Sequence, residues 1–178
     1  MDKLSTKKHH LIWELATFSK RNIARAITKA QLITGTYIFQ SKSAKFNSEP
    51  ETCLLCASIC EDIVHFICDC PALGVTRNKF LQLWCNQFKL IFSENNLCQL
   101  LQDKVVLTQA VLDISKCISS GLLPTITRQK HIKIEQSSLI LCHALHRDRT
   151  TQLQQSGLMS GLQHRRSRMV KTTDVVGA

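Results

Sequence analysis

Five cysteines and a histidine fall within CLLCASICEDIVHFICDC (residues 53–70), and four of these side chains, Cys53, Cys56, His65 and Cys70, are spaced C-x2-C-x8-H-x4-C. Three thiolates and one imidazole closed into a tetrahedron suit Zn2+, which accepts soft and borderline donors. The gap of two lets one tight turn offer both Cys53 and Cys56 to a single ion. Cys60 and Cys68 are extra thiols, expected as packing or surface groups. Cys68 stands three residues after His65. One α-helical turn would set it on the His65 side, so by spacing alone it competes with Cys70 for the fourth position. A full shell leaves no open coordination position, so one structural metal is expected rather than a catalytic one.

Other uses of the thiols fit less well. Nine cysteines are an odd number for a complete set of internal disulfides. The start, MDKLSTKKHHLIWELATF, has an apolar run broken by Glu14 and no small-residue cleavage site, so a secretory signal is not expected. Asp2 and Glu14 also argue against a transit peptide. No apolar run reaches bilayer-spanning length. The expectation is an intracellular chain, nuclear or cytoplasmic, with reduced thiols. A redox C-x2-C normally opens a helix after a strand, and no apolar strand run precedes EPETCLLC. Packing as small buried hydrophobes remains the plain alternative for any one cysteine.

Charge divides the chain. Residues 1–45 carry +7, residues 46–70 carry −5, and residues 71–130 and 131–178 carry +4 each, for a total of +10. A partner drawn by phosphate electrostatics would therefore meet the flanks and not the cysteine-rich segment.

The elements that must position the cluster read as helices. Residues 7–18 form a short one burying Leu11, Ile12, Leu15 and Phe18. Residues 20–34 form another, with Ile23, Ala26, Ile27, Ala30 and Ile33 as its core face and Gly35 as its stop. Arg21, Arg25 and Lys29 stand four apart on another face, a stripe suited to phosphate or simply a solvated side. Residues 74–92 follow, with Leu73, Phe80, Leu83, Trp84, Phe88 and Ile91 directed inward; Trp84 and Phe88 are expected in the core. Shorter helices fill 95–117, with core candidates Leu100, Leu101, Val105, Val106, Leu107, Val111, Leu112 and Ile114. SSGLLPTITRQ is a break, and 131–150 form the last helix over Ile134, Leu139, Leu141, Cys142 and Leu145. Residues 151–178 lose periodicity and are expected as a disordered tail.

Signatures of catalysis are missing. The sequence has no G-x-x-x-x-G-K, no G-x-G-x-x-G and no adjacent aspartates of the kind a template-copying polymerase uses. The expectation is a protein that is not an enzyme.

The run RAITKAQLITGTYIFQSKSAKFNSEPETCLLCASICEDIVHFICDCPALGVTRNKFL resembles the C-terminal zinc-binding region of reverse transcriptases from non-LTR retrotransposons. The resemblance rests on a basic helix, then Leu32, Thr34, Gly35 and Tyr37 as L-x-T-G-x-Y, then AKFN. The C-x2-C, the acidic ED, HF, CP and a following arginine, here Arg77, complete it. It covers residues 25–80 well and continues more weakly to about 150. The endonuclease and polymerase domains that precede this region in the family lie outside the chain. The resemblance implies that the last ligand is the cysteine before proline, Cys70, and leaves Cys60 and Cys68 without a ligand role.

Together these readings give a mainly α domain with a zinc knuckle inserted between helices. Residues 1–46 are a basic helical segment, 47–72 the zinc module, 73–150 the helical remainder of the same domain, and 151–178 the tail. The expected partner is RNA or single-stranded DNA, bound weakly and with little sequence preference through Arg21, Arg25, Lys29, Lys42 and Lys45. A zinc-stabilised structural or docking module is the alternative.

Overall fold

The computed structural model describes residues 11–16, 19–47, 50–58 and 60–158. All regular elements among them are helices: α1 (Leu11–Leu15), α2 (Lys20–Ile33), α3 (Gln40–Asn47), α4 (Gly74–Ile91), α5 (Glu94–Gln102), α6 (Lys104–Leu112), α7 (Ile114–Ser119) and α8 (Arg128–Gln155). The expected mainly α class therefore holds. A π-helical turn, His65–Asp69, and a 3-10 turn, Pro71–Leu73, join the cysteine-rich loop to α4. α8 is the central strut, packed against both α4 and α2.

Local chemistry sets the boundaries. Gly35 takes a positive φ of 67° and stops α2, while the Thr36 amide reaches back to the Gln31 carbonyl. The 95–117 region divides at two aspartates. Asp103 Oδ1 accepts from the Val105 and Val106 amides and starts α6; Asp113 Oδ1 accepts from Ser115 and starts α7. Ser93 and Thr127 cap α5 and α8 in the same way.

A main core runs through the molecule, and a small second one joins Ile12, Ala26 and Leu139. Trp84 and Phe88 are fully buried, as expected, and the Trp84 indole N–H donates to Ser138 Oγ at 2.8 Å. Cys53, Phe66, Ile67, Cys70 and Leu73 belong to the same core as Trp84, Leu141 and Leu145. The cysteine-rich loop thus shares its interior with the helices around it.

Several expectations are corrected. Within the expected helix 7–18, residues 11–15 are helical, and Phe18 lies outside the described residues. Leu83, Leu101 and Val105 are exposed, because each helix turns a neighbouring apolar residue inward instead. The last helix does not end at 150. It continues to Gln155, and Leu153 is completely buried. The stripe Leu145, Arg149, Leu153 keeps a four-residue step, and the charge at Arg149 disguised it. Most of the expected tail, from 159 on, lies outside the described residues.

The largest correction concerns α2. Its expected core face holds only in part: Ala26 is fully buried, but Ile23 and Ile27 are 42% and 46% exposed, and Lys29 of the basic stripe is turned inward toward α8. Lys29 is 0% exposed and its ammonium lies 2.5 Å from Glu135 Oε1 of α8. A buried ammonium is tolerable when a carboxylate meets it, and Glu135 supplies one from 106 residues away along the chain.

Candidate metal centre

The side chains of Cys53, Cys56, His65 and Cys70 converge, with all four ligand atoms within 4.8 Å of one another. Cys53 Sγ and Cys70 Sγ are 3.9 Å apart, and Cys56 Sγ lies 3.4 Å from His65 Nε2. A tetrahedral ion with sulfur at about 2.3 Å and nitrogen at about 2.0–2.1 Å has sulfur–sulfur edges of about 3.8 Å and sulfur–nitrogen edges of about 3.5–3.6 Å. These two of the six edges lie close to those lengths, and the group could hold one metal ion. Among the described residues it is the only set of three or more Cys, His, Asp or Glu side chains gathered this closely.

Each half of the site is built by its own turn. In the first, the Cys53 amide donates to the Ser58 carbonyl at 2.9 Å and the Ala57 amide donates back to the Cys53 carbonyl at 2.8 Å. This closes a tight loop that aims both thiols the same way. Ala57 completes it at φ 56°, a left-handed conformation that costs a non-glycine residue roughly 1–2 kcal/mol.

The second half explains why Cys70 and not Cys68 is used. The Cys70 amide donates to the His65 carbonyl at 2.7 Å, a bond five residues long. That π turn stacks the first residue over the sixth, so His65 and Cys70 share a side. An α-turn would have favoured Cys68. Instead Cys68 Sγ faces α6, 3.4 Å from Thr108 Oγ1. Cys60 Sγ points to Glu51 Oε2 at 3.8 Å. Neither extra thiol joins the group.

Electrostatics suits a cation. The Sγ–Sγ contact with Cys70 lowers the Cys53 pKa, and backbone N–H groups of Leu55 and Cys56 add to the effect. The same contact raises Cys70, because without an ion the pair keeps one proton between two sulfurs. Burial raises Cys56. A metal ion would remove this competition by drawing all three thiols into the thiolate form.

The surrounding shell uses the rest of the motif. Asp62 Oδ1 accepts the His65 amide at 2.7 Å and caps the turn. Glu61 is buried and takes a two-pronged bond from Arg149, at 2.7 Å from Nε and 3.0 Å from Nη2. It also accepts the Gln40 amide at 2.7 Å. Glu61 thus ties the loop to α8 and to the start of α3. Arg77 is buried behind Cys70, donating from Nε to the Ile67 carbonyl at 2.9 Å and from Nη2 to the Cys70 carbonyl. Sequence reasoning had Arg77 and ED as motif letters only; Arg149 it missed. The signal for Arg149 was a charged residue at a core position of a periodic helix.

The basic residues are scattered by comparison. Arg21, Lys42 and Lys45 are exposed, and Arg25 is half-buried. The Lys42 ammonium donates to the Gly35 carbonyl at the end of α2. Lys29 is inside and paired, so it is withdrawn from the nucleic-acid set. Among the described residues no helix is long and apolar enough to cross a membrane. No protein-family model matches the chain, and no curated protein or solved structure matches it either.

Proposed function

We propose that the chain is a non-catalytic, zinc-folded module that binds RNA or single-stranded DNA weakly. We further propose that it derives from the C-terminal zinc-binding region of a non-LTR retrotransposon reverse transcriptase. The observation that carries the zinc part is the convergence of the Cys3His group, two of whose edges are close to those of a tetrahedral zinc site. Zinc is the ion that this donor set most favours, and four protein ligands leave it no position for a substrate or an activating water. The family part is supported by motif residues with structural jobs: Gly35 ends α2, Asp62 caps the His65 turn, and Arg77 holds the Cys70 carbonyl. Reduced thiols at such a site suit an intracellular setting.

The nucleic-acid part rests on the +7 charge of residues 1–45 and on the exposed Arg21, Lys42 and Lys45. Burial of Lys29 is the observation that favours the alternative, a zinc-stabilised structural or docking module. Salt dependence separates the two. Affinity for a short oligouridylate should fall with salt, with a slope in log–log form of about 0.7 per phosphate neutralised. Lys42→Gln/Lys45→Gln should flatten that slope. Absence of strand binding at low salt, with zinc content intact, would favour the docking module.

A further inference from the structure

The packing of α2 on α8 has a consequence beyond the Lys29–Glu135 pair. Thr28 Oγ1 lies 3.2 Å from His143 Nδ1, which brings α2 against the middle of α8. Arg21 and Arg25 stand four apart on α2; His143 and Arg147 stand four apart on α8. Each pair shares a helix face. Burial and then the charges of His146, Arg25, Arg147 and Arg21 hold the His143 pKa down to about 4. Arg21, Arg25 and Thr28 follow one face of α2, and Thr28 meets His143, so basic groups from two helices gather here; burial remains the largest influence on the ring.

Two hydrogen-bonding facts sharpen the picture. Arg25 is poorly satisfied: its bond to Asn22 Oδ1 is long, 3.4 Å, and its Nε is sealed from solvent with no acceptor. Thr28 spends its one hydroxyl proton on the Ala24 carbonyl, at 2.9 Å. Thr28 Oγ1 can then only accept from His143, so Nδ1 is the protonated nitrogen and Nε2 carries the lone pair. Burial first, and then the neighbouring His146 and the three guanidinium groups, keep the ring neutral. An anion placed among them would offset those charges, let the ring take a proton from solvent, and turn Nε2 into a donor.

We propose that Arg21, Arg25 and Arg147, arranged around His143, form a clasp for one phosphodiester of a nucleic-acid strand. This rests on the nucleic-acid reading above and moves its centre from the stripe on α2 to the junction of α2 and α8. Guanidinium groups suit the task because their planar forks bond phosphate oxygens in pairs.

The test uses the full zinc-loaded chain with isotope-labelled histidine. Millimolar inorganic pyrophosphate should move the His143 ring signals toward the protonated position. In Arg25→Gln/Arg147→Gln the response should vanish, and the salt slope for a short oligouridylate should drop by about 0.7, one single-strand phosphate. Arg147 is exposed, so Arg147→Gln alone keeps the fold and should weaken both signals. His143 signals that stay in place, or that move equally in the double variant, would overturn the clasp. Unchanged strand affinity and slope in the double variant would also overturn it while leaving nucleic-acid binding itself standing. A His143 response to pyrophosphate without strand binding at low salt would overturn the nucleic-acid reading and, with it, the strand as occupant.

Discussion

The two halves of α8 each bury an ion pair against the N-terminal part of the chain, and the pairs differ in how their charges are satisfied. Near the start of the helix, Glu135 meets the Lys29 ammonium, a compact point charge, at 2.5 Å. Near its end, Arg149 grips Glu61 with two parallel bonds, and Glu61 also accepts the Gln40 amide. The first pair joins two helices. The second joins α8 to the loop that carries the metal ligands, and Glu61 Oε1 lies 4.0 Å from Cys53 Sγ. A buried pair with few outside obligations can be exchanged for apolar side chains; one that also serves backbone groups cannot.

The largest expected effect is at the metal end of α8. Metal binding at such sites supplies roughly 10–16 kcal/mol of apparent free energy at neutral pH. Cys70→Ser should therefore lose the ion and unfold the loop, while Cys68→Ser keeps both. Metal content and hydrogen exchange of the loop amides check this, and metal retained in Cys70→Ser but lost in Cys68→Ser would reverse the ligand assignment.

Next come the pairs themselves. Lys29→Met alone strands Glu135 and should cost about 3–5 kcal/mol, measured by urea unfolding. Adding Glu135→Leu should recover most of that loss. The matching double change, Glu61→Leu/Arg149→Met, should not recover, because the buried Gln40 amide loses its acceptor at a cost of about 1–3 kcal/mol. Equal recovery in both doubles would erase the distinction between the two ends. The smallest effect is a gain: Ala57→Gly relieves the left-handed turn beside Cys56 and should stabilise the metal-loaded chain by about 1 kcal/mol.

The same contrast explains what could be read in advance. The metal end was legible because its constraints are local: C-x2-C, His65, Cys70 and the capping Asp62 all lie within a single short stretch. Spacing alone left Cys68 and Cys70 level, since the choice depends on a π turn that no periodicity announces. At the other end, the stripe Arg21, Arg25, Lys29 looked like a surface because charge is usually solvated. Its partner, Glu135, is remote in sequence, and only packing reveals that Ile23 and Ile27 face outward instead. Arg149 hid the last turn of α8 for the same reason. The helices themselves were legible where apolar residues recur at helical steps, as in α4, while the divisions within 95–117 depend on the Asp103 and Asp113 caps.

The central claim is a single closed Cys3His zinc site, and X-ray absorption at the zinc edge tests it most directly. The full chain should carry one zinc, with three sulfur neighbours at about 2.3 Å and one nitrogen at about 2.0–2.1 Å, and the same spectrum should survive in Cys68→Ser. A chain without zinc, or a shell with oxygen neighbours in place of a thiolate, would contradict it.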